Sequence, residues 1–458
     1  MRSVFRVGNL ARAAALCLAS CPWQLSLAQS TPPAPTANSP ERTVIIRAGA
    51  LIDGTSPQPR LHQEILIRGD RIAAVYPVGS KPAPPGATLI DLGSATVLPG
   101  LIDTHTHVFL QGEEPSAGGY DVQLLKYPAS FRVVRAVVAA KRALDQGFTT
   151  IRDVETEGAG YGDVGIQKAI NEGYIPGPRM FVATRAISST GGYSLDDYAP
   201  EITVPKGAQI IDGPVEARKA AREQLDHGAD WIKVYMTHRS WVDAAGELVS
   251  QPTLTVEELK AVVDEAHGWR RKVACHAYNG PGLQRALDGG CDSIEHGLEL
   301  TDAQIAQMVK QGTWYVPTLA VYYYDLDPPD TASGKRDRKR IAVHGVSFRK
   351  ALAAGVKMAF GTDAGVYPHG DNAKQFKYMV QYGMTPAQAI RAATFNAADL
   401  IGRSKDVGTI EPGKYADLIA VSADPLQNVQ SLENVQFVMK DGTVYKDKLA
   451  NTPVQPME

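Results

Sequence analysis

Two histidines two residues apart, His105 and His107, close an apolar run at residues 98–107. On a strand such a pair faces one side, so both imidazoles can grip one cation. His276 ends the run Val273-Ala274-Cys275-His276, His296 ends Ser293-Ile294-Glu295-His296, and Asp363 follows Ala359-Phe360-Gly361-Thr362. Singly, each histidine reads as a hydrogen-bonded interior residue and Asp363 as a helix cap or turn acid. Together, imidazoles and a carboxylate at successive strand ends form a donor set for divalent metal. Asp363 can also move a proton. Lys233, within Trp231-Ile232-Lys233-Val234-Tyr235, would be an expensive charge inside a barrel. Burial would favour its neutral, nucleophilic amine; a salt-bridge or inert surface lysine is the alternative. Tyr235 shares the face of Lys233, nearer the mouth. It can donate a hydrogen bond to a substrate carbonyl or carboxylate, or simply pack.

These residues need strands whose ends meet. Short apolar runs at 100–107, 149–153, 179–184, 231–235, 272–276, 293–296, 313–317 and 358–362 alternate with amphipathic stretches at 131–146, 215–227, 255–269, 302–311 and 337–354. Alternation of this kind implies a parallel sheet. Eight units imply a (β/α)₈ TIM barrel, in which active sites sit at the C-terminal ends of the strands. An open doubly wound sheet is the alternative, but no Gly-x-Gly-x-x-Gly loop follows an early strand. Runs at 43–52, 64–67 and 71–75, and at 418–421, 435–440 and 443–445, are too few at either end to make a sheet alone. Together they predict a small composite β-sandwich from residues 43–97 and 404–448, around a barrel at 98–403.

The ordered set His105-x-His107, Lys233, His276, His296 and Asp363 resembles the metal-dependent amidohydrolase superfamily. That resemblance implies two divalent metals, with zinc the expected ion, and a Lys233 carboxylated by carbon dioxide whose carbamate bridges them. His105, His107 and Asp363 would hold one metal and His276 and His296 the other. The composite sandwich is a feature of the family, and residues 410–419 match its returning strand. A narrower resemblance is to the imidazolonepropionase-like branch, with its Xaa-Pro dipeptidases and carboxypeptidases. It is carried by residues 231–235, 276–277, 294–297, 361–365 and His369-Gly370-Asp371-Asn372. Many relatives carry a histidine after Gly191-Gly192; this chain has Tyr193, resembling members that release a C-terminal amino acid.

The implied activity is hydrolysis of a peptide or N-acyl-amino-acid amide, extending to aromatic amino-acid amides such as ochratoxin-type mycotoxins. A lactone or cyclic-amide hydrolase is an alternative, and a non-catalytic binding or assembly protein on the same barrel is another. Asp363 and Tyr235 are the catalytic candidates. Tyr235, His238, Arg239, Tyr193 and His369 are the candidate substrate contacts. Trp241, Tyr322, Tyr323, Tyr324 and Tyr367 could line an apolar pocket or belong to the core. The basic run at 335–340 reads as a solvated helix face.

Composition bounds the rest. The chain has 458 residues, 44% hydrophobic and 21% charged, with a net charge of −2. That is globular composition, without the basic field that attracts nucleic acid. The partner is then a small molecule or short peptide, and a homo-oligomer is compatible. Arg2, Arg6 and Arg12, an apolar segment from Ala13, and Ser26-Leu27-Ala28 predict a signal peptide at 1–28, followed by a flexible tether at 29–42. Export to the periplasm or medium follows, with no membrane span left after processing. Leu18-Ala19-Ser20-Cys21 offers lipid anchoring at Cys21 as the alternative. Cys275 and Cys291 are expected to be unpaired, one near the top of its strand and the other at the barrel bottom.

Overall fold

The computed structural model describes residues 42–449, apart from 57, 114–117, 194, 196 and 197. The expected leader and all but the last residue of the tether lie outside the described residues. Four strands open the described residues: β1 (Thr43–Leu51), β2 (Arg60–Arg68), β3 (Arg71–Pro77) and β4 (Thr88–Pro99). The central elements include β5 (Leu101–Thr106), β6 (Phe148–Asp153), β7 (Arg179–Val182), β8 (Ile187–Ser188), β9 (Gln209–Ile210) and β10 (Trp231–Tyr235). A hairpin follows, β11 (Thr237–Val242) and β12 (Leu248–Pro252), then β13 (Lys272–Ala277), β14 (Ser293–His296) and β15 (Trp314–Val316). The chain closes with β16 (Leu418–Val421), β17 (Phe437–Lys440) and β18 (Thr443–Asp447).

Both ends of the described chain build one seven-stranded sheet, ordered β18-β17-β16-β4-β1-β2-β3. Alternation puts Val44 and Ile46 of β1 opposite Ile67 and Ile65 of β2, and these join Leu418, Phe437 and Met439 in one buried cluster. β4 joins the two halves, parallel to β1 and antiparallel to β16. The far strand comes back on the near one: the Ile72 N–H donates to the Lys414 carbonyl at 2.9 Å.

The middle of the chain is a parallel α/β array. β5-β6-β7 form one sheet, and β15-β14-β13-β10-β8-β9 another. Single hydrogen bonds, such as Asp230 N–H to the Val182 carbonyl at 2.8 Å, link them. Helices cover the outside. Thr255 with Glu258 and Thr301 with Gln304 form capping boxes that start helices Val256–Gly268 and Asp302–Gln311, each satisfying two otherwise unpaired N–H groups. The expected eighth strand at 358–362 is not a regular ladder. It meets its neighbours at isolated points: the Thr104 N–H donates to the Phe360 carbonyl at 3.0 Å, and the Ala359 N–H to the Tyr315 carbonyl at 3.1 Å.

The cysteine expectation is overturned. Cys275 and Cys291 form a disulfide with a Cα separation of 6.1 Å, inside the usual reach. Residues 291 and 275 are much nearer in height than expected. The Asp292 N–H donates to the Val273 carbonyl, so the chain reaches Cys291 beside the strand of Cys275 rather than at the bottom of the barrel. Cys275 also points outward, sharing the helix-covered layer with Val273 and Ala277.

Candidate active site

All six expected metal-site residues converge at the C-terminal ends of the parallel strands, and none is more than 7% exposed. Asp363 Oδ1 lies 3.4 Å from His105 Nε2 and 3.1 Å from His107 Nε2. The His105 and His296 ring centroids are 5.0 Å apart, and those of His276 and His296 4.4 Å.

Strand alternation accounts for part of this. Lys233 and Tyr235 face inward, and the ladder pairs them with Ala274 and His276. The next ladder pairs His276 with Glu295 and Ala277 with His296, so alternation sends Glu295 inward and His296 away. A left-handed backbone, with φ of 74° at His296 and 66° at Asp363, returns both to the site. Such a conformation costs a non-glycine residue of order 1 kcal/mol and is typical of functional positions. Gly361 lets the last segment approach, because a Cβ there would lie 2.3 Å from Val316 Cγ1 and 2.9 Å from His105 Cβ.

Neighbours orient the rings. His105 Nδ1 lies 2.7 Å from Glu295 Oε2, and His296 Nδ1 lies 2.8 Å from Thr318 Oγ1. The Nε2 atoms are thereby turned to the site, as in metal-bound histidines. Arg152, fully buried, donates to Glu295 Oε1 at 2.8 Å. Burial would raise the Glu295 carboxyl, but Arg152 and His105 outweigh it and hold the pKa low. Burial likewise opposes ionisation of Asp363, and the neighbouring His105 and His107 imidazoles overcome it. Burial, then its neighbour His296, then Lys233, drive His276 well down. Burial also lowers Lys233, against the pull of Glu295 and Glu155.

His105 Nε2, His276 Nε2 and Lys233 Nζ are buried without a hydrogen-bond partner, which is rare for buried polar atoms. His105, His296 and Asp363 each offer a donor atom within 4.8 Å of the others. Imidazole nitrogens with a carboxylate suit zinc and similar divalent ions, so the residues present fit a metal centre.

A cavity of about 770 Å³ opens on His107, Lys233, His276, His296 and Asp363, lined also by Tyr193, Tyr235, His238 and Arg239. Tyr322 and Tyr324 line it too, whereas Tyr367 is fully buried behind, stacked on Tyr324 at 4.3 Å. His369, a candidate substrate contact, does not line this cavity: its Nε2 is held by the His107 and Leu110 carbonyls at 3.1 and 3.0 Å. It braces the backbone that carries His107. The solvated-face reading of residues 335–340 is also corrected. Arg336 and Arg340 line the cavity, and Arg340 donates to Ser240 Oγ at 2.6 Å, because the start of helix Ala332–Ala353 packs beside the β11–β12 hairpin.

Other lining or supporting groups escaped the sequence reading. Glu155 and Glu157 follow β6 with the same spacing of two that marks His105 and His107, and both are buried. Arg152 and Glu295 are charged residues inside strands, a pattern that signals a buried pair. Tyr120 has no comparable sequence signal.

Comparison with known proteins agrees with this geometry. The family model described as "Amidohydrolase family" matches residues 96–445. An ochratoxinase of Aspergillus niger is 31% identical over 94% of this chain and 92% of its own length. A solved Xaa-Pro dipeptidase with bound methionine superimposes with a TM-score of 0.78 at 35% identity, covering 88% of this chain and all of its own. The solved Aspergillus niger ochratoxinase has a TM-score of 0.75 at 27% identity, covering 89% of this chain and 96% of its own. Fold, donor set and relatives converge: the chain belongs to the amidohydrolase family of metal-dependent hydrolases.

Proposed function

We propose that the protein is an exported binuclear metallohydrolase that cleaves a peptide or N-acyl-amino-acid amide bond, with amides of aromatic amino acids among its substrates. The observation that carries this reading is the pair of buried, unpartnered His276 and Lys233 nitrogens facing a substrate-sized cavity, with the unpartnered His105 nitrogen behind them beside His296 and Asp363. The ochratoxinase and dipeptidase relatives support the amide chemistry. His105, His107 and Asp363 would hold one ion, His276 and His296 the other, with carboxylated Lys233 between them. When bound, two such ions, zinc being expected, would supply a hydroxide nucleophile near neutral pH and Lewis-acid polarisation of the scissile carbonyl.

The chain's own groups do the rest. Burial favours the neutral Lys233 amine, the form that captures carbon dioxide. Ionised Asp363 takes the nucleophile's proton and delivers it to the leaving amine. Tyr235 donates its O–H to Glu155 Oε2 at 2.6 Å, so donation to a substrate carbonyl requires exchange of that bond. The division into leader, tether, composite sandwich and barrel belongs to the same proposal. No described helix is long and apolar enough to cross a membrane.

Metal analysis and a library of dipeptides and N-acyl-amino acids test the reading on the mature protein. Two equivalents of metal and amide turnover are expected; active protein without stoichiometric transition metal would sink it. Lys233→Ala should lose most activity and metal, and short carboxylic acids should restore part of both by occupying the vacated bridge. Lys233→Arg should fail as well, since guanidinium forms no carbamate. Full activity with two metals in Lys233→Ala would overturn the bridging role. N-terminal sequencing of the exported protein should begin at Gln29, whereas lipid-modified Cys21 would show the anchored alternative.

A further inference from the structure

Glu155 and Glu157 have no part in the reaction above, yet the fold buries them side by side, 0% and 3% exposed. Burying two adjacent carboxylates is unfavourable unless a positive charge or a shared proton joins them. Their hydroxyl neighbours are neutral. Tyr120, at 2.8 Å, and Tyr193 both donate O–H groups to Glu157 Oε2, and Tyr235 donates to Glu155 Oε2. Glu157 Oε1 lies 3.5 Å from His107 Nδ1, too far for a well-formed hydrogen bond. Glu155 Oε1 is buried and has no partner at all. Lys233 is nearby, but its Nζ bonds to neither acid, and neither its neutral nor its carboxylated form brings a positive charge.

One donor atom each from His107, Glu155 and Glu157 lies within 4.8 Å of the other two, close enough for one small cation to touch both carboxylates. Glu157 lines the cavity. The Tyr193 ring stands 4.8 Å from Tyr235 and 6.1 Å from Tyr120, and aromatic walls favour a cation.

We propose that this carboxylate pair is the subsite for a protonated amine nitrogen of the substrate. The preferred amide then carries a free ammonium beside the scissile bond, as an unblocked dipeptide does. A metal ion fits less well. It would need His107 Nδ1 as a ligand while Nε2 faces Asp363, leaving the imidazole no proton. An ammonium needs only the two free carboxylate oxygens. The proposal rests on the amide-hydrolysis reading.

The test compares alanyl-phenylalanine with propionyl-phenylalanine, which has the same scissile bond and lacks only the amine. The wild-type holoenzyme should prefer the first by at least about 30-fold in kcat/KM, since a site built to pair a polar group rejects the analogue lacking it. Glu157→Gln should bring the two within about 3-fold by losing on alanyl-phenylalanine alone, with two metals retained; Glu155→Gln, the second isosteric variant, should act in the same direction. Equal losses on both compounds in Glu157→Gln would overturn the proposal and assign Glu157 to support of His107. No preference in the wild type, or a third metal equivalent removed by either variant, would overturn it too. If neither compound is cleaved, the amide reading fails for this pair. Calorimetric affinities of the two compounds then decide: a wild-type preference lost in Glu157→Gln supports the subsite, and equal affinities refute it.

Discussion

Glu295 has a donor on each oxygen: Arg152 and Ser293 on Oε1, His105 on Oε2. An amide cannot accept at both ends. In Glu295→Gln, the NH₂ group must face either Arg152 or His105. Facing His105, it forces the proton onto Nε2, the atom turned to the metal site. We expect metal affinity to fall about 10–100-fold, the usual effect of losing such a supporting partner. Unfolding stability should fall by roughly 3–5 kcal/mol, because Arg152 is left as an uncompensated buried charge. Chelator competition and urea unfolding measure the two effects. Unchanged metal affinity would reduce Glu295 to a packing role. His105, His107 and Lys233 are legible in sequence because imidazole pairs and a lysine inside an apolar strand are uncommon. Glu155 and Glu157 are not, because acids just after a strand are ordinary unless their burial is known.

Between strands, the Cys275–Cys291 disulfide ties the one bearing His276 to the connection that leads into the one bearing His296. The closed loop spans 16 residues, for which chain entropy gives about 3 kcal/mol. A Cys275→Ser/Cys291→Ser double variant, or reduction of the wild type, should lose about that much in urea unfolding. A midpoint indifferent to reductant would show that the bond is not formed in solution. Seven central strands were legible from short apolar runs flanked by helical periodicity. Others were not, β8, β9 and the β11–β12 hairpin among them, and two cases show why. β4, at 12 residues, has Asp91, Gly93 and Ser94 interrupting its apolar pattern, and its place is set by pairing with β16 far along the chain. Residues 358–362 have a strand's composition, yet the left-handed turn at Asp363 and a bond from the Phe360 N–H to the Ala392 carbonyl draw them out of a ladder.

For the molecule as a whole, two buried histidines that are not themselves metal candidates set a pH dependence. Burial lowers the pKa of His344 from 6.5 to about 3 and that of His369 to about 4. Below 6.5 the unfolded chain takes up protons that the folded chain refuses. Stability is therefore fully present above pH 6.5 and falls as pH drops toward 4, by up to roughly 2–3 kcal/mol for each histidine. His344 has no hydrogen-bond partner at either nitrogen, so His344→Phe should unfold with a flatter pH profile. Equal urea midpoints from pH 8 to 4.5 in the wild type would contradict this. The terminal sheet has a consequence in time. β4 pairs through Pro99 and Leu98 with Leu418 and Ile419, which leave the ribosome some 300 residues later, or roughly 15–60 s at ordinary elongation rates. Through that interval the edge of β4 is an open template for foreign strands. Truncation before residue 418 would leave a sheet that never latches, and such chains should reach chaperones or aggregates before they reach a folded barrel.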